Sequence, residues 1–256
     1  MQIDLNSDMG ESFGLYTLGA DAEILRSVTS ANVACGWHGG DPRVMRKTLD
    51  AAKARGVAVG AHPGYPDLLG FGRRVMQLSR QEARDYVLYQ IGALRAFAEA
   101  LGLRLQHVKP HGALYNAAVR DRELSLGIAE AVKEAGGDLL LVTLPEGETL
   151  RAGRELGLRV AREAFGDRAY NEDGTLVSRK VAGSLITDPD RVAERVLELV
   201  AGKLTAITGK QIRLEADTIC LHGDTPGAGA IARRVRERLE AAGIRLTPMG
   251  EFLGRA

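Results

Sequence analysis

The chain has 256 residues, 45% of them hydrophobic, so it can bury a sizeable core, and its length suits one α/β domain spanning residues 1–256. Its 34 basic and 33 acidic residues nearly cancel, which gives no electrostatic reason to expect nucleic acid or an anionic membrane as partner. No apolar run reaches about 18 residues and the first residues lack a signal-peptide pattern, so we predict a cytoplasmic protein.

Short apolar runs alternate with longer helical patterns along the chain. Three helix starts are marked by capping residues: Asp41 and Asp188, each followed by proline, and Ser79, which opens a capping box. The helix that follows Ser79 is predicted to end near Gly102. Strands are predicted at residues 2–5, 28–34, 57–61, 105–109, 139–143, 158–161, 218–222 and 244–247.

Several of these strands are continuous apolar runs, which is typical of parallel strands buried on both faces. Alternating strands and helices predict right-handed βαβ units. Seven or eight units could close into a barrel, and an open doubly wound sheet is the alternative that periodicity does not separate. Two long polar segments, 64–76 and 163–183, interrupt the alternation as candidate lids or binding loops, and 203–207 with 211–215 predict a small hairpin.

All five histidines lie at or near the carboxyl end of a predicted strand: His38, His62, His107, His111 and His222. The carboxyl ends of parallel strands open onto one face, where ligands bind. One histidine at a strand end is structural about as often as functional, but five of five indicate a site that gathers histidines and carboxylates. The exception is His107, which precedes its strand end and is interpreted as a hydrogen-bonded core residue.

No nucleotide-binding motif is recognisable. Residues 227–232 match the glycine spacing of a dinucleotide fingerprint. They lie in the last unit, however, with no further βα units to complete a nucleotide-binding half. No P-loop and no Gly-x-Ser-x-Gly nucleophile elbow is present. The two cysteines, Cys35 and Cys220, are far apart in sequence and are interpreted as small buried residues.

These features together resemble the family of 5-oxoprolinase A subunits, also called the LamB/YcsF lactam-utilisation family. The resemblance covers essentially the whole chain, and its blocks are DLNSDMGE (4–11), SANVACGWHGGDP (30–42), GAHPGYPD (60–67), GFGRR (70–74), VKPHGALYN (108–116), DRAY (167–170) and CLHGDTP (220–226).

The resemblance implies a distorted (β/α) barrel of seven strands, similar to glycoside hydrolases and deacetylases. It also implies a reaction in which 5-oxo-L-proline, ATP and water give L-glutamate, ADP and phosphate. Subunits B and C are the implied partners and are expected to bind the ATP. That division agrees with the lack of a nucleotide motif in this chain.

Site roles are hypotheses from position and chemistry. Asp8 and His62 are predicted to act as a base or metal-ligand pair, with His111 as acid or further ligand of a divalent metal. Lys109 and Arg73 are the candidates for binding substrate anions. The remaining candidates surround them: Asn6, Glu11, His38, Asp41, His222 and Asp224.

Two other functions stay open. A stand-alone metal-dependent amidohydrolase or deacetylase would use the same Asp/His cluster and would cleave amides without ATP. A non-catalytic subunit that binds lactam and activates its partners would tolerate loss of Asp8 or His111.

Overall fold

The computed structural model describes residues 1–178, 180–223, 225 and 227–254. Its elements are, in chain order, β1 (Gln2–Met9), α1 (Asp21–Ile24), β2 (Ser30–Ala34), α2 (Pro42–Lys53), β3 (Ala58–His62), α3 (Arg80–Ala100), β4 (Leu105–Val108), α4 (Gly112–Ala118), α5 (Arg122–Ala135), β5 (Leu140–Thr143), α6 (Glu148–Glu155), β6 (Arg159–Phe165), α7 (Pro189–Val200), β7 (Lys203–Thr205), β8 (Gln211–Arg213), β9 (Thr218–Cys220), α8 (Ala228–Ala241), β10 (Arg245–Leu246) and α9 (Met249–Phe252). Among the described residues, no helix combines the length and the apolar character needed to cross a membrane.

Seven parallel strands form a closed ring in the order β1-β2-β3-β4-β5-β6-β9. The ring closes where Asp4 and Asn6 of β1 pair with Thr218 and Cys220 of β9. This confirms the predicted seven-stranded barrel and excludes the open doubly wound sheet. Strand β10 pairs with the first residues of β1 and is not part of the ring, while β7 and β8 form the predicted antiparallel hairpin.

The predicted helix starts are confirmed by their caps. The Asp41 carboxylate accepts hydrogen bonds from the backbone N–H groups of Arg43 and Val44, and Asp188 does the same for Arg191. Ser79 forms the reciprocal capping box that opens α3. Each cap stabilises its helix by about 1 kcal/mol, because it satisfies N–H groups that lack an intrahelical partner.

Two predicted strands end too early, and both errors have the same cause. Strand β1 continues past residue 5 to Met9, and β6 continues past residue 161 to Phe165, so the loop predicted to begin at residue 163 begins after the strand. The added residues include Asn6, Asp8 and Glu163, which hydrogen-bond across the barrel interior to side chains of other strands. A search for apolar runs misses strands whose inward face is polar.

The described residues form two separate hydrophobic clusters. The larger one packs the outer face of the strands against the helices and includes Leu5 and Leu141. The smaller one consists of Leu140, Val142, Ala161 and Met249, so α9 packs against the inward residues of β5 and β6. The rest of the inward face is largely polar, and its alternation with the outer face follows from the period of two in a strand.

The polar interior begins with Asp4, which is fully buried. Its carboxylate accepts hydrogen bonds from the hydroxyls of Thr29, Ser30 and Thr218. Burial outweighs these bonds and raises the pKa of Asp4 to about 6. Further along the barrel, the same interior carries the charged side chains of the site.

Candidate active site

A cavity of about 790 Å³ opens at the carboxyl end of the barrel. Six of the predicted site residues line it: Asp8, His62, Arg73, Lys109, His111 and His222. They lie in β1, at the end of β3, in the loop that follows β3, after β4 and after β9. The barrel therefore brings together residues that are more than 200 positions apart in sequence, as the position of parallel strand ends requires.

On one side of Asp8 lies a group that we call the lysine network: Lys109, Asp8, Glu163, Asn6 and Cys220. The Lys109 ammonium is 2.9 Å from Asp8 Oδ1, 2.8 Å from Glu163 Oε1, 3.2 Å from Cys220 Sγ and 3.4 Å from Asn6 Oδ1. Lys109 is 2% exposed and Glu163 is fully buried. One buried cation thus joins two carboxylates.

The charges of the lysine network stabilise one another. Burial disfavours the charged form of Asp8, but His62 and Lys109 hold the pKa of Asp8 well below its usual range. Likewise, burial works against the Lys109 ammonium, yet Asp8 and Glu163 hold its pKa well above the usual value. Asp8 is therefore an anion and Lys109 a cation at neutral pH.

On the other side of Asp8 lies a group that we call the histidine cluster: Glu11, His38, His62 and His111. One ligand atom from each residue lies within 4.8 Å of those of the others. His62 Nε2 is 3.0 Å from His111 Nδ1 and 3.4 Å from Asp8 Oδ2. Glu11 Oε1 is 3.2 Å from His38 Nε2 and 3.4 Å from His111 Nδ1.

Burial governs the protonation of the histidine cluster. It lowers the pKa of His111 to about 3, with repulsion from His62 adding to the effect. Burial, with repulsion from His111 and His62, also lowers the pKa of His38 well below its ordinary value. Both rings are therefore neutral at pH 7, and they stack in parallel with centroids 3.6 Å apart.

The loop at 64–76 fixes the orientation of His111. Its Phe71 has a φ of 54°, a left-handed conformation that is uncommon for an aromatic residue, and Gly72 follows with a φ of 61°. The Phe71 carbonyl accepts a hydrogen bond from His111 Nε2 at 2.9 Å. A Cβ on Gly72 would lie 2.8 Å from His111 Cδ2, so glycine is needed for both backbone angle and space.

A third feature of the cavity is the pair of Asp167 and His222. His222 Nδ1 lies 2.8 Å from Asp167 Oδ1, and the other carboxylate oxygen accepts a hydrogen bond from the Thr225 hydroxyl. Asp167 is buried, but its His222 and Thr225 partners hold its pKa below the usual value. The anion fixes the proton of His222 on Nδ1 and leaves Nε2 as the proton acceptor.

The remaining predicted residues lie in different places. Asn6 is buried in the lysine network, and Arg73 lies on the cavity wall with its guanidinium carbon 4.9 Å from the Phe71 ring centre. Asp41 caps α2 and also accepts a hydrogen bond from Gly14 N–H, outside the described cavity lining. Asp224 lies outside the described residues.

The interpretation of His107 as a core residue agrees with the structure. His107 is fully buried, its Nε2 lies 2.7 Å from Asn32 Oδ1, and it is not among the described residues that line the cavity. Burial lowers its pKa to about 3, so the ring is neutral.

Sequence reasoning missed four residues at the site: Tyr115, Glu163, Phe165 and Asp167. Alternation along β6 could have found Glu163 and Phe165, which share a strand face with Ala161. Asp167 lies in a block that carries the family resemblance, DRAY (167–170), and that block is the signal that could have found it. Burial and the nearby Glu163 carboxylate raise the pKa of Tyr115 well above its usual value, so its buried hydroxyl keeps its proton.

Known proteins match the chain over nearly its full length. The chain is 56% identical over 254 residues to the 5-oxoprolinase A subunit of Pyrococcus furiosus, covering 99% of this chain and 100% of that protein. It is 57% identical over 254 residues to the 5-oxoprolinase A subunit of Thermococcus onnurineus, with the same coverage.

Solved structures agree on the fold. The crystal structure of a lactam utilization protein from Thermus thermophilus superposes with a TM-score of 0.92 at 52% identity, covering 96% of this chain and 99% of the other. A family 4 carbohydrate esterase from Streptomyces lividans matches with a TM-score of 0.50 at 12% identity, covering 100% of this chain and 96% of the other. The latter likeness concerns the fold alone and confirms the predicted deacetylase-like barrel. The sequence model of the LamB/YcsF family matches residues 3–254, and this chain belongs to that family.

Proposed function

We propose that this chain is one component of an ATP-dependent 5-oxoprolinase and that it opens the lactam ring of 5-oxo-L-proline to give L-glutamate. The observation that carries the proposal is the near full-length identity of 56% to a protein named as the A subunit of 5-oxoprolinase. The cavity supports it, because anionic, cationic and neutral imidazole groups all meet on its wall.

The reaction needs ATP because a five-membered lactam resists hydrolysis. We propose that subunits B and C bind the ATP and transfer its terminal phosphoryl group to the amide oxygen, releasing ADP. Water then adds to the activated ring carbon, and the C–N bond breaks as the nitrogen takes a proton. A second water hydrolyses the resulting acyl phosphate to glutamate and phosphate.

Opening the activated ring requires a base, an acid and cations. Asp8 is the proposed base, since it stays ionised on the cavity wall, where His62 Nε2 lies 3.4 Å from its Oδ2. The proton is proposed to reach the leaving nitrogen through His222, whose Nε2 can accept a proton and pass it on, whereas the His111 proton lies on Nε2 against the Phe71 carbonyl. His222 suits a proton carrier because Asp167 fixes its tautomer.

Anion binding is assigned to the cavity wall. Arg73 lies there and is the proposed partner of the substrate carboxylate or phosphate. Lys109 already contacts Asp8 and Glu163, so its proposed role is to keep Asp8 charged and to offset negative charge that develops nearby. His38 would orient His111 by stacking against its ring.

Reconstitution tests the proposal. The purified chain is combined with its two proposed partners, and glutamate formed from 5-oxoproline is measured with and without ATP. Glutamate is expected only when all three components and ATP are present, and the chain alone is expected to show no ATPase activity. Amide hydrolysis by the chain alone, without ATP, would instead support a stand-alone amidohydrolase.

A further inference from the structure

Two imidazole nitrogens in the histidine cluster face each other, and backbone contacts determine what they carry. His62 Nδ1 is 2.7 Å from the Lys109 carbonyl, and His111 Nε2 is 2.9 Å from the Phe71 carbonyl. A carbonyl oxygen only accepts hydrogen bonds, so each of these nitrogens carries a proton. His62 Nε2 and His111 Nδ1 are therefore the ring nitrogens left available to a ligand, each through its lone pair.

These two lone pairs are 3.0 Å apart and almost fully buried, since His62 is 1% exposed and His111 is 4% exposed. Two acceptors at hydrogen-bond distance repel each other unless a positive species lies between them. Carboxylate oxygens add to the negative potential there, because Glu11 Oε1 is 3.4 Å from His111 Nδ1 and Asp8 Oδ2 is 3.4 Å from His62 Nε2. A cation between the two nitrogens would therefore be stabilised.

We propose that His62 Nε2, His111 Nδ1 and Glu11 Oε1 bind a divalent transition metal of the zinc class. Nitrogen ligands at about 2.0–2.1 Å from zinc in tetrahedral geometry lie about 3.3 Å apart, close to the distance between the two histidine nitrogens. The carbonyl bonds on the far nitrogens are the contacts that usually orient metal-bound histidines. Two neutral imidazoles and one carboxylate leave a fourth position open toward the cavity that His62 and His111 line.

His38 is assigned as a positioning residue rather than a ligand. Its ring is parallel to His111, at 3° between planes, so the two rings cannot aim their lone pairs at one point. Instead, His38 Nε2 lies 3.2 Å from Glu11 Oε1 and is placed to donate its proton to that carboxylate. This leaves His38 Nδ1, which has no partner among the described atoms, as an acceptor, which is the less costly group to leave unpaired.

A second group of candidate ligands, Asp8, Cys220 and His222, is less suited to a metal. The Lys109 ammonium is 2.9 Å from Asp8 Oδ1 and 3.2 Å from Cys220 Sγ, so a cation there would meet a positive charge at close range. The lysine network already supplies the positive charge on that side. Between His62 Nε2 and His111 Nδ1, by contrast, each nitrogen faces the other nitrogen and a carboxylate oxygen.

Metal titration of the metal-free protein tests the proposal. Protein stripped with a chelator is titrated with Co²⁺, followed by its visible ligand-field absorption, and with Zn²⁺ by calorimetry, in the absence of substrate and ATP. One equivalent of metal is expected to bind and to raise Tm. We expect His111→Gln and Glu11→Gln to weaken binding by at least about 100-fold, and His38→Gln by about 10-fold.

The variant His222→Gln is the matched control, because it removes a histidine of the second group and is expected to bind metal like the wild type. Circular dichroism and Tm of each metal-free variant show whether it is folded. If His111→Gln does not fold, the test is made with Glu11→Gln. The proposal is overturned if no stoichiometric metal binds and imidazole NMR shows a proton shared between His62 and His111. Loss of binding in His222→Gln with retention in Glu11→Gln would also overturn it. Either result leaves the lactam-opening proposal standing, because the titration does not involve the reaction.

Discussion

The two carboxylate oxygens of Asp8 face opposite electrostatic environments. Toward Oδ1, the lysine network places a buried ammonium between two carboxylates, and each charge has a partner within 3 Å. Toward Oδ2, the histidine cluster places two neutral ring nitrogens face to face, with carboxylate oxygens beside them. In the lysine network each charge has a partner of opposite charge. In the histidine cluster, His62 Nε2 and His111 Nδ1 face each other, so a cation between them would be stabilised.

The difference separates structural from chemical roles. A buried ion pair contributes little net stability, but removing one partner leaves an uncompensated charge that is costly. The lysine network therefore fixes the ionised state of Asp8 and the geometry of the barrel interior. His62 and His111 of the histidine cluster line the cavity wall, where their ring nitrogens can take part in binding and proton transfer.

The largest expected effect comes from removing the cation of the lysine network. Lys109→Met leaves the half-buried Asp8 and the fully buried Glu163 without their ammonium partner, and it should lower the free energy of unfolding by about 3–5 kcal/mol. Chemical denaturation measures the change. Adding Glu163→Gln to the same protein should recover part of the loss, since one of the two stranded charges is removed. Additive losses in the double variant would mean that Lys109 and Glu163 are not coupled.

Next in size is an effect on turnover from the histidine cluster. His111→Gln should reduce glutamate formation by the assembled enzyme by about 10²- to 10⁴-fold, as expected for loss of an acid–base or ligand group. Its effect on stability should be smaller than that of Lys109→Met, because no buried charge is stranded. His107→Gln makes the same change at a buried histidine outside the described cavity lining and should keep most of the turnover. Similar losses of turnover in both variants would contradict the assignment of His107 to the core and His111 to the site.

A smaller effect is expected from the residue that orients His222. Asp167→Asn should reduce turnover by about 10²-fold, because the neutral amide no longer selects the tautomer with its proton on Nδ1. The variant should also shift the pH profile of turnover, which a purely structural defect would not do. An unchanged profile with unchanged turnover would exclude His222 as a proton carrier.

The last effect appears only as a change of stability with pH and concerns Asp4, in the barrel interior away from both sides of Asp8. Its pKa in the folded protein is raised from 3.8 to about 6, so the folded state binds a proton that the unfolded state has already released. Its contribution to stability is therefore fully present below pH 3.8 and is lost as the pH rises through about 6, with a slope of at most about 1.4 kcal/mol per pH unit. Asp4→Asn should flatten this part of the curve when unfolding is measured from about pH 4 to about pH 7. A wild-type slope in the variant would contradict the assignment.

Much of the fold could be predicted from the sequence because its signals are local. The caps at Asp41, Ser79 and Asp188 depend on neighbouring residues, and the predicted positions hold. The barrel closure was not accessible in the same way, since the pairing of β1 with β9 joins residues about 214 positions apart. Periodicity does not distinguish a closed ring from an open sheet.

The site was predictable in its position more than in its contacts. Placing His62, Lys109 and His111 at strand ends brings them to one cavity, as parallel-strand geometry requires. The polar inward faces of β1 and β6 concealed that Asn6 and Glu163 belong to strands. Which nitrogen of His62 faces His111 depends on backbone carbonyls from other segments, and no spacing in the sequence encodes that.

The most direct test of the proposed role is a comparison of glutamate formation by the assembled enzyme with wild-type chain and with His111→Gln. Both mixtures contain the two proposed partners, ATP and 5-oxoproline, and glutamate is measured over time. The wild-type mixture is expected to form glutamate with ATP consumed, and the His111→Gln mixture to form it at least about 10²-fold more slowly while the chain stays folded. Glutamate formation at the wild-type rate by the His111→Gln mixture would contradict ring opening at this site.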